Sequence, residues 1–162
     1  QRLGCPHLAD KIFAKGLQDR SATYFLTEQY SSLLQQGRLE ESKALRKEIE
    51  SRDPNNLRAT FYHLALIDFQ YFAENSSDKG DPEHPIKPLL NYINAFPGDE
   101  DQIWKVEMMV SQYLFTKGLL REALYHARSC YKQAPLAIRK DVADSSQHIR
   151  SEIRMQLRRE RK

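Results

Sequence analysis

The chain has 162 residues, 40% of them hydrophobic and 29% charged, which suits one globular domain or a short repeat array and excludes a multidomain machine or a chain of disordered composition. No apolar run approaches the roughly 18 residues that a spanning helix needs, so a membrane-crossing segment is excluded. The net charge is +3, and the segment from Ser151 to Lys162 supplies all of it, so a neutral body argues against a basic nucleic-acid groove.

Almost every segment carries apolar residues at helical period and none alternates as a strand does. Ser21 is placed to cap a first helix, whose stripe is Phe25, Leu26, Gln29, Tyr30, Leu33 and Leu34. Gly37 ends it, because glycine accepts the left-handed conformation at a helix C-terminus. A second helix is expected from about Leu39 to Ser51, with Leu39, Ser42, Leu45 and Ile49 on one face. Asp53-Pro54-Asn55-Asn56 then turns the chain.

The third helix, about Leu57 to Glu74, is apolar on nearly all sides and must be covered on more than one. A polar loop with Gly80, Pro82 and Pro85 follows. The next helix runs from about Ile86 to Phe96, with Pro85 and Pro88 tolerable in its first turn. Two more are expected at about Asp101 to Lys117 and Leu119 to Gln133, divided by Gly118. The last begins after Pro135 and carries Ile138, Val142, Ile149, Ile153 and Leu157.

A repeat underlies this order. Gly37 and Pro54, Gly80 and Pro97, and Gly118 and Pro135 are each 17 residues apart, where chance gives roughly 0.2 such pairs. The content recurs as well: Gly37-Arg-Leu-Glu-Glu-Ser42 lines up with Gly118-Leu-Leu-Arg-Glu-Ala123. Each is a turn glycine, a leucine two residues on and a small residue three beyond that. Gly4, Ala9 and Phe13 repeat the idea once more. A glycine lets two helices fold back on each other, a small residue lets them cross closely, and a proline ends the second. One such hairpin cannot bury its apolar face alone, so hairpins stack.

This spacing of glycine, small residue and proline resembles the tetratricopeptide repeat (TPR) family from about Gly4 to Pro135. The resemblance implies an all-α, right-handed α-solenoid of about three antiparallel hairpins. Its parts would be a half repeat at 1–20, hairpins at 21–56, 57–99 and 100–135, and a capping helix with a basic tail at 136–162. The middle unit departs from the pattern, with Pro85 where a small residue is expected and a loop at 75–85. The missing first half, and a start at Gln1 without a signal-like pattern, fit a piece of a longer array.

Two cysteines, Cys5 and Cys130, have no CxxC spacing and make no disulfide framework. Cys130 is expected to pack as a small hydrophobe. Cys5 follows Arg2-Leu3-Gly4, which departs from a lipidation signal at Arg2, and Asn75-Ser76-Ser77 is a glycosylation sequon. No phosphate loop, HExxH or GxSxG is present, and Ser129-Cys-Tyr-Lys132 fits a bare SxxK with no companions. His63, Asp68 and Glu107 are expected to be satisfied structural polar groups. No catalytic residue, metal ligand or cofactor is expected.

Binding remains. The resemblance implies a concave groove for a peptide or helix of a partner protein. Its positions here would be Tyr24, Thr27, Ser31 and Leu34, then Arg58, Phe61, Ala65 and Asp68, then Lys105, Met108, Gln112 and Phe115. The two-carboxylate clamp of chaperone-binding members is missing, since Tyr30, Leu34, Ser111 and Phe115 stand in its places, so an apolar peptide or amphipathic helix fits better. The alternatives are a homo-oligomeric assembly or regulatory subunit using the last helix, and nucleic-acid binding through Arg154, Arg158, Arg159, Arg161 and Lys162. A cytoplasmic location is favoured, with a soluble domain held at the cell envelope as the alternative.

Overall fold

The computed structural model describes residues 22–52, 57–75 and 83–159. The expected half repeat at 1–20, Cys5, the serines of the sequon and Gly80 lie outside them. The protein is all-α: among the described residues every element is helical and no strand occurs. No helix among them is long and apolar enough to cross a membrane. The chain divides into two compact units, residues 1–71 and 72–162.

In the first unit, α1 (Ala22–Gln35) and α2 (Leu39–Arg52) form a hairpin. In α2 the acids Glu40 and Glu41 occupy the first turn and Arg52 the last, each suiting the helix dipole. The third helix, α3 (Leu57–Asn75), crosses the division between the units. Up to Tyr71 it closes the first core, where Leu64, Ile67 and Tyr71 pack with Leu26, Tyr30, Leu33, Leu34, Leu45 and Ile49. An apolar helix of this kind needs cover, and the hairpin supplies it on one side.

The second unit opens with the final residues of α3, where the Phe72 ring meets that of His84 edge-on at 4.7 Å. A 3₁₀ turn at His84–Ile86 leads into α4 (Lys87–Ala95). Pro85, Ile86, Leu89 and Tyr92 are buried, so the two prolines sit in the entry turn, where a missing N–H costs nothing. Tyr92 donates its hydroxyl hydrogen to Asp99, a buried carboxylate in the turn before α5. That turn extends to Gln102, so α5 (Ile103–Thr116) starts two residues later than its sequence pattern suggests. Next come α6 (Leu120–Gln133), a 3₁₀ turn at Leu136–Ile138, and α7 (Arg139–Arg159). Cys130, Ala134 and Val142 form a small core joined by Trp104, Met108 and Ile138.

Gly37 and Gly118 mark two corners built alike. Their φ angles are +73° and +76°, the left-handed region, which costs any other L-residue about 1–2 kcal/mol. At the first corner the Gly37 N–H donates to the Leu34 carbonyl and the Arg38 N–H to that of Leu33, both at 3.0 Å. At the second, Gly118 donates to Phe115 at 3.1 Å and Leu119 to Leu114 at 3.0 Å. Both are Schellman motifs, which satisfy the last carbonyls of a helix while the chain reverses. Ser42 and Ala123, at 2% and 0% exposure, are the small residues just past the two corners.

The likeness extends beyond the corners. All four helix boundaries of the α1–α2 hairpin recur in α5–α6, each shifted by 81 residues. Each hairpin is then followed by a long helix, α3 or α7, that packs on it.

Gly118→Ala should destabilise the protein by about 1 kcal/mol through φ alone, since an added Cβ meets nothing within 4 Å. Ala123→Ser should cost under about 1 kcal/mol, because Ser42 already fills that place in the first hairpin. Ala123→Arg should unfold the second hairpin, having no room for a long charged chain. Urea denaturation followed by circular dichroism ranks the three, and near-wild-type stability of Ala123→Arg would refute the alignment of the hairpins.

Candidate functional site

Besides the Tyr92–Asp99 pair, two buried polar clusters stand out among the described residues, one in each unit. In the first, the Tyr30 hydroxyl donates to Asp68 Oδ1 at 2.5 Å. Arg46 of α2 forms an ion pair with Asp68 Oδ2 and reaches the Tyr30 oxygen at 3.3 Å. A further Arg46–Glu50 pair at 3.0 Å holds the guanidinium from its own helix. Burial and the bond to Asp68 raise the pKa of the Tyr30 phenol well above its usual value. Burial works against the charge on Arg46, but the Asp68 carboxylate outweighs it and raises that pKa too. The cluster therefore fixes one neutral phenol and one ion pair, and it ties three helices together.

The second cluster centres on Glu107 of α5, 4% exposed. It accepts from Ser129 at 2.7 Å and from Gln133 at 3.4 Å, and pairs with His126 Nδ1 at 2.6 Å. Gln133 also donates to the Ser129 hydroxyl at 2.8 Å. Ser129 thus gives its hydrogen to the Glu107 carboxylate. Ser129 and Lys132, the SxxK pair, line a shallow cavity of about 250 Å³ with Tyr125 and Arg128. Among the described residues no group of three or more His, Cys, Asp or Glu could hold a metal ion.

Cys130 lies one turn along α6 from His126 and is fully buried. Burial, with the nearby Glu107 charge, pushes its thiol up to about 12. A reactive cysteine needs the opposite, a lowered pKa and access.

The predicted groove positions are placed unevenly. Arg58 and Gln112 are exposed, and Phe61, Lys105, Met108 and Phe115 are half-buried. Thr27, Leu34, Ala65 and Asp68 are buried, with Asp68 engaged by Tyr30 and Arg46. Lys105 sits 5.6 Å over the Trp104 ring, and Met108 packs against the Cys130 cluster. The Tyr24 side chain lies outside the described residues. An open cleft of about 540 Å³ beside Pro97, Asp101, Lys132, Leu136 and Arg139 is lined by none of these positions. Sequence reading alone missed Tyr30, Arg46, His126, Ser129 and Gln133 as cluster members. No sequence signal finds them, because their partners lie 19 to 38 residues away on other helices.

No protein-family model matches the chain, and no solved structure matches it. The chain is similar to the thioredoxin-related protein DsbJ of Chlamydia pneumoniae, with 33% identity over 132 residues. The match covers 78% of this chain and 38% of that protein, so the chain spans well under half the length of the curated relative it matches.

Tyr30→Phe should cost about 1 kcal/mol. Asp68→Ala should cost about 3 kcal/mol, the low end for a broken buried pair because Arg46 reaches solvent. Denaturant midpoints check the order, and equal costs would show that the Arg46 charge does not need Asp68. The native thiol of Cys130 should react with Ellman's reagent only at the rate of unfolding. Because its pKa is higher folded than unfolded, the protein should lose stability as pH rises from about 9 towards 12, and Cys130→Ala should remove that part of the loss in alkaline melts.

Proposed function

We propose that this chain is a non-catalytic protein-interaction module. Its tetratricopeptide-like hairpins would form a right-handed α-solenoid that holds a peptide or helix of a partner protein. The observation that carries the reading is the recurrence of the Gly37 corner at Gly118, with the same hydrogen bonds and a small buried residue beyond each. Hairpins repeated at fixed geometry supply like helices with like faces, which is how repeat proteins make extended binding surfaces. On those faces the exposed and half-buried groove positions are Arg58, Phe61, Lys105, Met108, Gln112 and Phe115. This is a mixture of aromatic and thioether anchors among polar groups, the composition of an interface with a few dominant contacts.

The relative's name says that protein is thioredoxin-related. For the stretch the two chains share, we favour a holding role over a thiol one. The support is the state of Cys130: a fully buried thiol with a raised pKa offers no thiolate to a disulfide.

The test is binding. The intact chain, immobilised, captures a partner that is identified and then titrated against wild type, Phe61→Ala and Phe115→Ala. Each variant should bind at least about tenfold more weakly, with helicity and melting temperature kept. Unchanged affinity in both variants would overturn the groove assignment.

A further inference from the structure

The two polar clusters occupy complementary positions in a duplicated framework. Shifted by 81 residues, Glu107 and His126 fall on Leu26 and Leu45, two apolar members of the first core. Ser129 and Gln133 fall on Glu48 and Arg52, which form an ion pair at 2.5 Å in the first hairpin. In the other direction, Tyr30 and Arg46 correspond to Ser111 and Ala127, both buried. The buried charged centres thus differ between the hairpins: Glu107 and His126 stand where the first has leucines, and Tyr30 and Arg46 where the second has Ser111 and Ala127.

The twin shows that neither lock is needed to build the hairpin, since leucines serve at 26 and 45. A buried ion pair is often no more stabilising than well-packed apolar residues, while a broken one is costly. Its best-attested use is to fix which helices pair and in what register. A duplicated chain needs such a device, because α1 could pair with α6, or α5 with α2, through corners of the same geometry. The first error sets Leu26 against His126, and the second buries Glu107 against Leu45 with no partner for its charge. Laying α3 on the second hairpin would set Asp68 against Ser111 and Ala127, without Arg46.

We infer that the Glu107–His126 and Asp68–Arg46–Tyr30 locks enforce pairing of each helix within its own unit, and so prevent exchange of helices between the two units or between two copies of the chain. This inference stands apart from the binding role and holds or fails without it.

The experiment gives the second hairpin the first one's residues: Glu107→Leu together with His126→Leu, in the full chain. The double variant should fold, with helicity like the parent's and a melting temperature equal or higher. Refolded from urea at increasing concentration, it should yield a dimeric or larger fraction at least several-fold above the parent's by size exclusion with light scattering. Doubled amide peaks in the heteronuclear NMR spectrum would report exchange within one chain and would equally support the inference. A variant that refolds to a single species, with the parent's oligomeric state and one set of peaks, overturns it. Failure of the double variant to fold also overturns it, because the lock would then be structural. Glu107→Leu alone should be less stable than the double variant, and the reverse order counts against a paired lock.

Discussion

A hairpin of two fourteen-residue helices demands that the backbone reverse within three residues, and that reversal needs a positive φ. Everything else in each hairpin follows from where the glycine stands. The Schellman bonds at Gly37 and Gly118 set the entry of the second helix, which fixes how closely the pair crosses. Close crossing brings Ser42 or Ala123 against the preceding helix, and in the second hairpin the Ser111 hydroxyl reaches the Ala123 carbonyl at 2.8 Å. A third helix then has a defined two-helix surface to lie on, made by Leu26, Leu33 and Ile49 in the first unit.

Such a framework is indifferent to much of its own filling. Position 26 is leucine and its twin 107 is glutamate, yet both are nearly solvent-free. A carboxylate is tolerated there because Ser129, His126 and Gln133 converge on it, giving it several hydrogen-bonding partners in place of water. The same logic admits Asp68 on the apolar helix α3. Its two oxygens meet a phenol and a guanidinium from two other helices. Polar residues in these cores are thus specific demands on partners, where leucines would be satisfied by any apolar neighbour.

The corners were legible in the sequence because glycine and the small residue beyond it are local signals, read within six residues. The seven helices among the described residues were legible for the same reason, with ends within about two residues of the sequence pattern, except that the last starts at Arg139 after a 3₁₀ turn at Leu136–Ile138, three residues later than Pro135 suggests. The clusters were not legible. Asp68 finds Tyr30 38 residues away and Arg46 22 away, while Glu107 finds Ser129 22 residues away. No periodicity reports such a pairing. His63 and Asp68 looked alike as polar residues on one apolar helix, and five residues of helix turn them roughly 140° apart. That rotation leaves His63 exposed and Asp68 buried. Beyond the corners, the 81-residue correspondence was hidden for another reason: its twin positions share burial and geometry more than identity, as Leu26 and Glu107 do.

The pattern of conservation within the molecule bears on the proposed role. Twin positions that build the corners agree: Gly37 with Gly118, Leu33 with Leu114, Ser42 with the equally small Ala123. Twin positions on α1 and α5 diverge. Leu34 is buried, while Phe115 in its place is half-buried, and Thr27 is buried where Met108 is half-buried. A duplicated scaffold whose frame is held and whose faces drift apart has two different surfaces on one geometry. Two different surfaces suit a single asymmetric partner better than two identical ligands, because each face then reads a different part of it. On the proposed reading, the second unit's larger, softer side chains at Met108 and Phe115 form the adaptable part of the grip. Cys130 packs against Met108, where a small side chain lets that packing close.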